Sequence, residues 1–397
     1  MITKDKKKLI ASILLIIFSF LLLQFLLKKF IVAGHDFTNV YWYKDIAEKI
    51  SQKGIFNVWT PYPQLFSVLI YLIFSDTAKY YVMVWSVLNV SLLLGISCLI
   101  YLMLKDIVGR LLSIISALSY LLINFTWTSK IAIGMFIDQV EYFVIFIVLF
   151  ALYLLLKKKV WIAAVLCAIG TLIKIFPVML IFLAFLFLNK KDFTRFVLIF
   201  FVVAIAILLP FYVSNQEIFM SWFNFSSHRQ AWESIYSYPN FNFPPIVSVE
   251  ELSNPVTSSS NIGILQYLQL LILFFYTILI KKRSISKKNL PEIYLVLLNL
   301  FFIFLIFSKG FSSYFIFWFF PLLFLVYKPS YAFLIAAIFL LIGNLQFTGF
   351  LWGSVLLRYY FIIVLLILNI TRLQKIKKMN FLFYRLTFRS KTINQFF

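Results

Sequence analysis

Acidic residues are scarce in this sequence: Asp and Glu contribute 14 of 397 residues, whereas Lys and Arg contribute 36. Histidine and cysteine are scarcer still, with 2 of each and no Cys-His cluster, so a zinc site is not expected. Cys98 and Cys167 both fall within apolar runs, which predicts small core side chains and no disulfide. Because acids are so few, each one on the outer side of the membrane is a candidate for chemistry.

Apolar residues are what the chain has in abundance. It is 63% hydrophobic, contains 49 Phe and has a mean hydropathy of +0.98. In lipid, each span must satisfy its backbone hydrogen bonds within the protein, as helices and closed β-barrels do. No run in this sequence alternates apolar and polar residues as the strands of a barrel do, so the spans are expected to be helices. At about 20 apolar residues per crossing, the sequence predicts an all-α polytopic membrane protein of about 12 transmembrane helices. The candidate spans are 9–27, 79–104, 111–126, 136–156, two within 160–188, 193–213, 262–280, 291–307, 312–327, 331–349 and 352–370.

Clusters of Lys and Arg between the spans predict the orientation in the membrane. We attribute the net charge of +22 to these cytosolic clusters and not to nucleic-acid binding. All of these clusters lie on the same side of the membrane if residues 28–78 form one outer segment. Within that segment, 63–75 is expected to lie as an interfacial helix. The prediction is one domain over 1–397 in the cell membrane, with 28–78 and 214–261 extracytoplasmic, both termini cytosolic and a basic tail over 371–397. The clusters are 105–110, 157–159, 189–195, 281–288 and the tail.

The apolar stretch 160–188 has basic residues at both ends, so both ends are expected on the cytosolic side. Two helices sharing this stretch would each be only about 21 Å long. They would therefore meet below the outer membrane surface, at a turn near Lys174 and Pro177, where proline is suitable. The alternative is a single tilted helix, which would place one basic cluster outside.

Three acidic residues are candidates for catalysis. Asp36 follows the first span, where a carboxylate could accept the proton of an attacking hydroxyl or hold a divalent cation such as Mg²⁺ or Mn²⁺. The alternative for Asp36 is the N-cap of a following helix. Asp138 and Glu141 open the span at 136–156 and share one helix face. They are expected near the outer boundary, as functional groups or as a solvated helix start favoured by the helix dipole.

Basic residues on the outer side are candidates for binding a phosphate. Lys174 comes first, because an ammonium held below the surface needs an anion, and a lipid phosphate is a natural partner. Snorkelling of Lys174 to the interface is the alternative. Lys309 and Arg358 fall at outer span ends, against the positive-inside trend, and could complete a phosphate site with Lys174. His228 and Arg229 of the second outer segment are further candidates.

Four short motifs follow one another along the chain. They are Asp36-Phe37 with Tyr41-Trp42-Tyr43 and Ala47, then Pro61 to Phe66, then Leu172 to Pro177, and last Ser308-Lys309 with Ser313-Tyr314, Trp318 and Pro321. In this order they resemble segments of the GT-C superfamily, the integral-membrane glycosyltransferases that use polyprenyl-phosphate sugars. The similarity is to prokaryotic polyprenyl-phosphate mannosyltransferases and to the catalytic subunits of GPI mannosyltransferases. Two positions depart from the family pattern: Thr38 stands where an Asp-x-Asp would have its second acid, and Gln64 replaces the second proline of a Tyr-Pro-Pro motif.

The resemblance implies an inverting glycosyltransferase with its active site on the extracytoplasmic face. The donor would be a polyprenyl-phosphate sugar, with mannose expected and the phosphate near Lys174, and the acceptor would be a lipid, a glycan or a protein. Asp36 would be the base. Tyr41, Tyr62 and Tyr314 would contact the sugar, although aromatic residues also form interfacial belts. No cofactor is expected with certainty, and a divalent cation stays possible even though the Asp-x-Asp is incomplete.

Two other functional classes stay open at this point. One is a flippase or transporter of lipid-linked saccharide, which would show several charges deep in the spans and repeat symmetry. The other is a polymerase or ligase of surface polysaccharide, which would centre on His228 and Arg229.

Overall fold

A computed structural model describes most of the chain, and that part is all-helical. No β-strand occurs among the described residues, as the sequence predicts. The described residues are 10, 12–21, 38–60, 63–73, 78–125, 140–221, 263–282, 290–308, 313–345 and 351–378.

The helices follow the predicted spans, mostly to within a few residues at each end. Three of them, α4, α9 and α14, are long and apolar enough to cross a membrane, and the other apolar helices are shorter. The count of about 12 spans therefore stays a prediction. The bounds are α1 Ser12–Leu21, α2 Thr38–Lys53, α3 Gln64–Leu72, α4 Ala78–Val108, α5 Arg110–Asn124, α6 Glu141–Leu156, α7 Val160–Thr171, α8 Met179–Phe187, α9 Lys190–Ser214, α10 Gly263–Lys282, α11 Leu290–Ile306, α12 Phe320–Val326, α13 Pro329–Leu345 and α14 Leu351–Lys378.

The outer surface of α9 shows why this fold needs a membrane. The helix buries only Phe196, Phe200 and Phe211, whereas large apolar side chains such as Leu198 and Val202 are exposed. A continuous apolar face of this kind is unfavourable in water but matches a hydrocarbon environment. The chain is thus a membrane protein.

The segment after the first span contains two helices of different character. In α2, buried side chains recur at the helical spacing of Tyr43, Ile46 and Ile50, and the opposite face is polar. This pattern is typical of a helix that packs on a core and faces water on its other side. Within the predicted segment 63–75 the structure has the helix α3, which buries Phe66 and exposes Leu72, and its interfacial position stays a prediction.

Contacts near the two ends of α9 join segments that are distant in the chain. Near its start, Lys281 Nζ donates to the Phe185 carbonyl oxygen at 3.2 Å. Near its end, Asn215 Nδ2 donates to Asn57 Oδ1 at 3.1 Å. A helix of this length separates its ends by about 37 Å. Two predicted basic clusters therefore lie at one end of α9, and parts of the two predicted outer segments lie at the other.

The predicted span 312–327 is not one helix. The structure has a 3-10 helix at Ser313–Trp318, then a break at Phe319, and only then α12. Pro321 lies in the first turn of α12, where its missing N–H removes a hydrogen bond to the preceding turn. The predicted span is thus present as the apolar helical segment Tyr314–Val326, made of two parts.

Candidate active site

The turn after α7 folds the chain back against its own helix. Beyond Lys174 a 3-10 turn at Phe176–Val178 leads into α8. The Pro177 carbonyl oxygen accepts a hydrogen bond from Cys167 Sγ at 3.4 Å, so the turn lies against the last turns of α7. The predicted turn near Lys174 and Pro177 is confirmed, and the single tilted helix is not what forms.

Gly170 permits this close approach. A Cβ atom at this position would lie 3.0 Å from Ile147 Cγ2 and 3.1 Å from Pro177 Cγ. Both distances are shorter than ordinary van der Waals contact, and close packing leaves little room to relax. The position of the turn, and so of Lys174, depends on the absence of a side chain here.

A larger residue at position 170 should displace the turn. We expect Gly170→Leu to destabilise the protein by about 1–3 kcal/mol through overpacking. Its activity should fall by more than the loss of folded protein explains, and Gly170→Ala should show a smaller effect on both stability and activity. Thr171→Ala is the matched control, because the Thr171 hydroxyl bonds within α7, to the Cys167 carbonyl oxygen at 2.8 Å. Thermal unfolding in detergent, measured with turnover, tests this. If Gly170→Leu and Thr171→Ala unfold at the same temperature and have the same turnover, the close packing at Gly170 does not position the turn.

Lys174 forms a buried ion pair with Glu141. Lys174 Nζ donates to Glu141 Oε1, which joins residues 33 positions apart in the chain. Lys174 is 8% exposed and Glu141 is 1% exposed. Glu141 is the first residue of α6, where the helix dipole favours a carboxylate. The pair is net neutral, and each charge depends on the other, because a single uncompensated buried charge is costly.

Aromatic rings form a wall beside the ammonium group. Trp318 stacks on Phe176 and on Phe315, with ring centroids 4.2 Å and 4.0 Å apart. Lys174 Nζ lies 5.5 Å from the Phe315 centroid and 5.7 Å from the Trp318 ring, within the range of cation–π attraction. An apolar wall lowers the local dielectric constant, so any anion that meets this ammonium is held more strongly than in water.

The structure brings together two predicted site residues that the sequence had assigned to different roles. Glu141 was predicted as a catalytic acid and Lys174 as a phosphate ligand, and they are direct partners. Arg358 lies on α14 and is fully buried. Tyr314 is half-buried in the same 3-10 helix as Phe315 and Trp318.

The other predicted residues are described only in part or not at all. Tyr41 lies on α2, where its backbone is described but its side chain is not. Asp36, Tyr62, Asp138, His228, Arg229 and Lys309 lie outside the described residues.

Within the described part of the chain, no three His, Cys, Asp or Glu side chains come close enough to share a metal ion. Glu141 is a carboxylate at the site, and one of its oxygens accepts from Lys174. Asp36, the predicted divalent-cation ligand, lies outside the described residues.

Sequence reasoning missed the pairing of Glu141 with Lys174 and the stacking of Trp318. A signal for the pairing existed: Glu141 and Lys174 are opposite charges in apolar surroundings, expected at similar membrane depth. The spacing along the chain gave no reason to join them, because the contact depends on how α6 packs against α7.

Comparison with known proteins gives the family. The family model for glycosyltransferase family 87 matches residues 59–308, which is more than half of the chain and includes Glu141 and Lys174. No curated protein sequence matches the chain, and no solved structure does. With its long apolar helices, the chain belongs to glycosyltransferase family 87 and is a membrane glycosyltransferase.

Proposed function

We propose that this protein is a GT-C-type transferase that moves one sugar, expected to be mannose, from a polyprenyl-phosphate donor to a lipid, glycan or protein acceptor. The observation that carries the proposal is the buried Lys174–Glu141 pair, which lies at a helix break inside the region matched by the family. A charged pair at such a place is costly in a membrane protein and is usually functional. The family membership supports sugar transfer, and the ammonium supports a phosphate-linked donor.

The proposed reaction is a single displacement at the anomeric carbon. The acceptor hydroxyl oxygen attacks that carbon and forms the new glycosidic bond, while the bond from the carbon to the phosphate oxygen breaks. The electron pair of the broken bond leaves with the polyprenyl phosphate. Asp36 accepts the hydroxyl proton as general base. Attack opposite to the leaving group inverts the anomeric configuration.

Lys174 is proposed to stabilise the leaving phosphate. Lys174 Nζ donates to Glu141 Oε1, and an ammonium is a donor that can also meet phosphate oxygens as their negative charge grows. Fixed charge at a leaving group is a large source of rate. Lys309, Arg358, His228 and Arg229 are proposed as further donors to the phosphate. Tyr41, Tyr62 and Tyr314 are proposed to contact the sugar.

In this reaction, protein side chains carry out the proton transfer and the charge stabilisation, and a divalent cation held by Asp36 would add to them.

The function is tested by incubating the purified protein in liposomes with a panel of radiolabelled polyprenyl-phosphate sugars and an extract of native lipids as acceptor. We expect label to move from one donor, with mannose first. Transfer from a nucleotide sugar, with none from any polyprenyl-phosphate donor, would contradict the proposal.

The proposed location of the reaction is the extracytoplasmic face of the cell membrane. In intact cells, an impermeant thiol reagent should label Gln52→Cys and Ser258→Cys but not Ser284→Cys, because the basic clusters are expected to stay inside. Cys98 is exposed and should be replaced by Ala in the background, whereas Cys167 is buried. Labelling of Ser284→Cys alone would reverse the orientation and place the site in the cytosol.

A further inference from the structure

The second carboxylate oxygen of Glu141 lacks a hydrogen-bond donor among the described residues. Glu141 Oε2 is buried and accepts no hydrogen bond from any residue that the structure describes. Its neighbour Oε1 holds Lys174. A buried carboxylate oxygen without a donor is costly, so such an atom in a binding site is expected to have a partner in the ligand.

The charge of the pair restricts what that partner is. Because Lys174 and Glu141 neutralise one another, a second ammonium group beside Oε2 would be repelled by Lys174 without a further anion to balance it. A neutral hydroxyl is a donor that carries no such penalty. The sugar of the donor substrate is rich in hydroxyls, whereas its polyprenyl chain has none.

The geometry of the pair also restricts which hydroxyl it is. The two oxygens of a carboxylate are bonded to one carbon, so a group on Oε2 lies close to the ammonium that contacts Oε1. If Lys174 meets the phosphate, the hydroxyl on Glu141 must lie next to that phosphate in the donor. The hydroxyl of the sugar carbon adjacent to the anomeric carbon, the 2-hydroxyl, is in that position.

We propose that Glu141 is a specificity-determining residue that accepts the 2-hydroxyl of the donor sugar through Oε2 while it orients Lys174 through Oε1. The pair then binds the two neighbouring groups of a sugar 1-phosphate together. This inference rests on the proposed function. It assigns to Glu141 substrate recognition, and not proton transfer.

The test compares deoxy donors in the wild type and in Glu141→Gln. The amide oxygen of the substituted side chain would turn to Lys174, and its NH₂ would face the sugar, where a donor replaces an acceptor. For each protein, the kcat/KM of the parent donor is divided by that of the 2-deoxy donor. This ratio should be about 10–100 times larger in the wild type than in Glu141→Gln, which is the range of a charged hydrogen bond. A 6-deoxy donor should give the same ratio to the parent donor in both proteins.

These ratios do not depend on the amount of folded enzyme, because both donors are measured in one preparation. Intrinsic reactivity of the 2-deoxy sugar cancels between wild type and variant. Glu48→Gln is the matched control, because Glu48 pairs with Lys44 at 3.3 Å on the exposed face of α2, and it should keep the wild-type ratios. Equal 2-deoxy ratios in wild type and Glu141→Gln, with transfer intact, would overturn this inference alone. Absence of transfer from every polyprenyl-phosphate donor would overturn the proposed function and this inference with it.

Discussion

Replacing Lys174 by Met should lower both the stability and the activity of the protein, and a second substitution should separate the two losses. Met keeps the apolar stem and leaves the Glu141 carboxylate buried without its cation. Breaking a buried pair in this way costs about 3–5 kcal/mol. Transfer should also fall by about 10- to 100-fold in the fraction that folds, because a charged hydrogen bond to the phosphate is lost.

The double variant Lys174→Met/Glu141→Gln removes both charges at once. Its stability should recover a large part of the loss, because no unpaired charge stays buried and only a neutral amide lacks its partner. Its transfer activity should stay low, since no ammonium meets the leaving phosphate. Lys159→Met is the matched control, because Lys159 is exposed at the start of α7. If the double variant regains activity together with stability, the pair is structural and Lys174 does not serve the donor.

Replacing Asp36 by Asn should abolish transfer while the protein still folds and inserts. Asn keeps the shape of Asp36 and cannot take a proton, and a general base contributes about 10²–10⁴-fold to the rate. The variant should still bind the donor, because Lys174 and Glu141 are unchanged. Asp45→Asn, on the exposed face of α2, is the control and should behave as the wild type.

Binding and turnover must be measured separately to interpret Asp36→Asn. A non-transferable analogue of the polyprenyl-phosphate sugar gives the donor affinity, which should change little. Turnover above about half of the wild-type value would remove Asp36 from the mechanism, since a lost base costs far more than this.

Much of the helical fold was predictable because membrane helices are selected by hydropathy. The predicted spans at 79–104 and 193–213 appear as α4 and α9, each a few residues longer. The turn near Pro177 was also predictable, since basic flanks on a short apolar stretch require the chain to return. The division of the span 312–327 into a 3-10 helix and α12 could not be read from hydropathy, which does not register the local effect of Pro321.

The site was predictable only as a set of unconnected residues. Scarcity of charge singled out Glu141 and Lys174, because each is expensive in an apolar environment. Their contact is a tertiary one, made when α6 packs against α7, and no sequence period encodes it. The same holds for the stacking of Phe176 on Trp318, which joins the turn after α7 to a segment far along the chain.

The products of a single reaction test the central claim most directly. Purified protein is given one polyprenyl-phosphate sugar of known anomeric configuration, and the glycoside and the released lipid are identified by mass spectrometry and NMR. We expect one polyprenyl phosphate to be released for each glycoside formed, with the anomeric configuration inverted. A glycoside with retained configuration, or one formed without release of polyprenyl phosphate, would rule out the proposed single displacement.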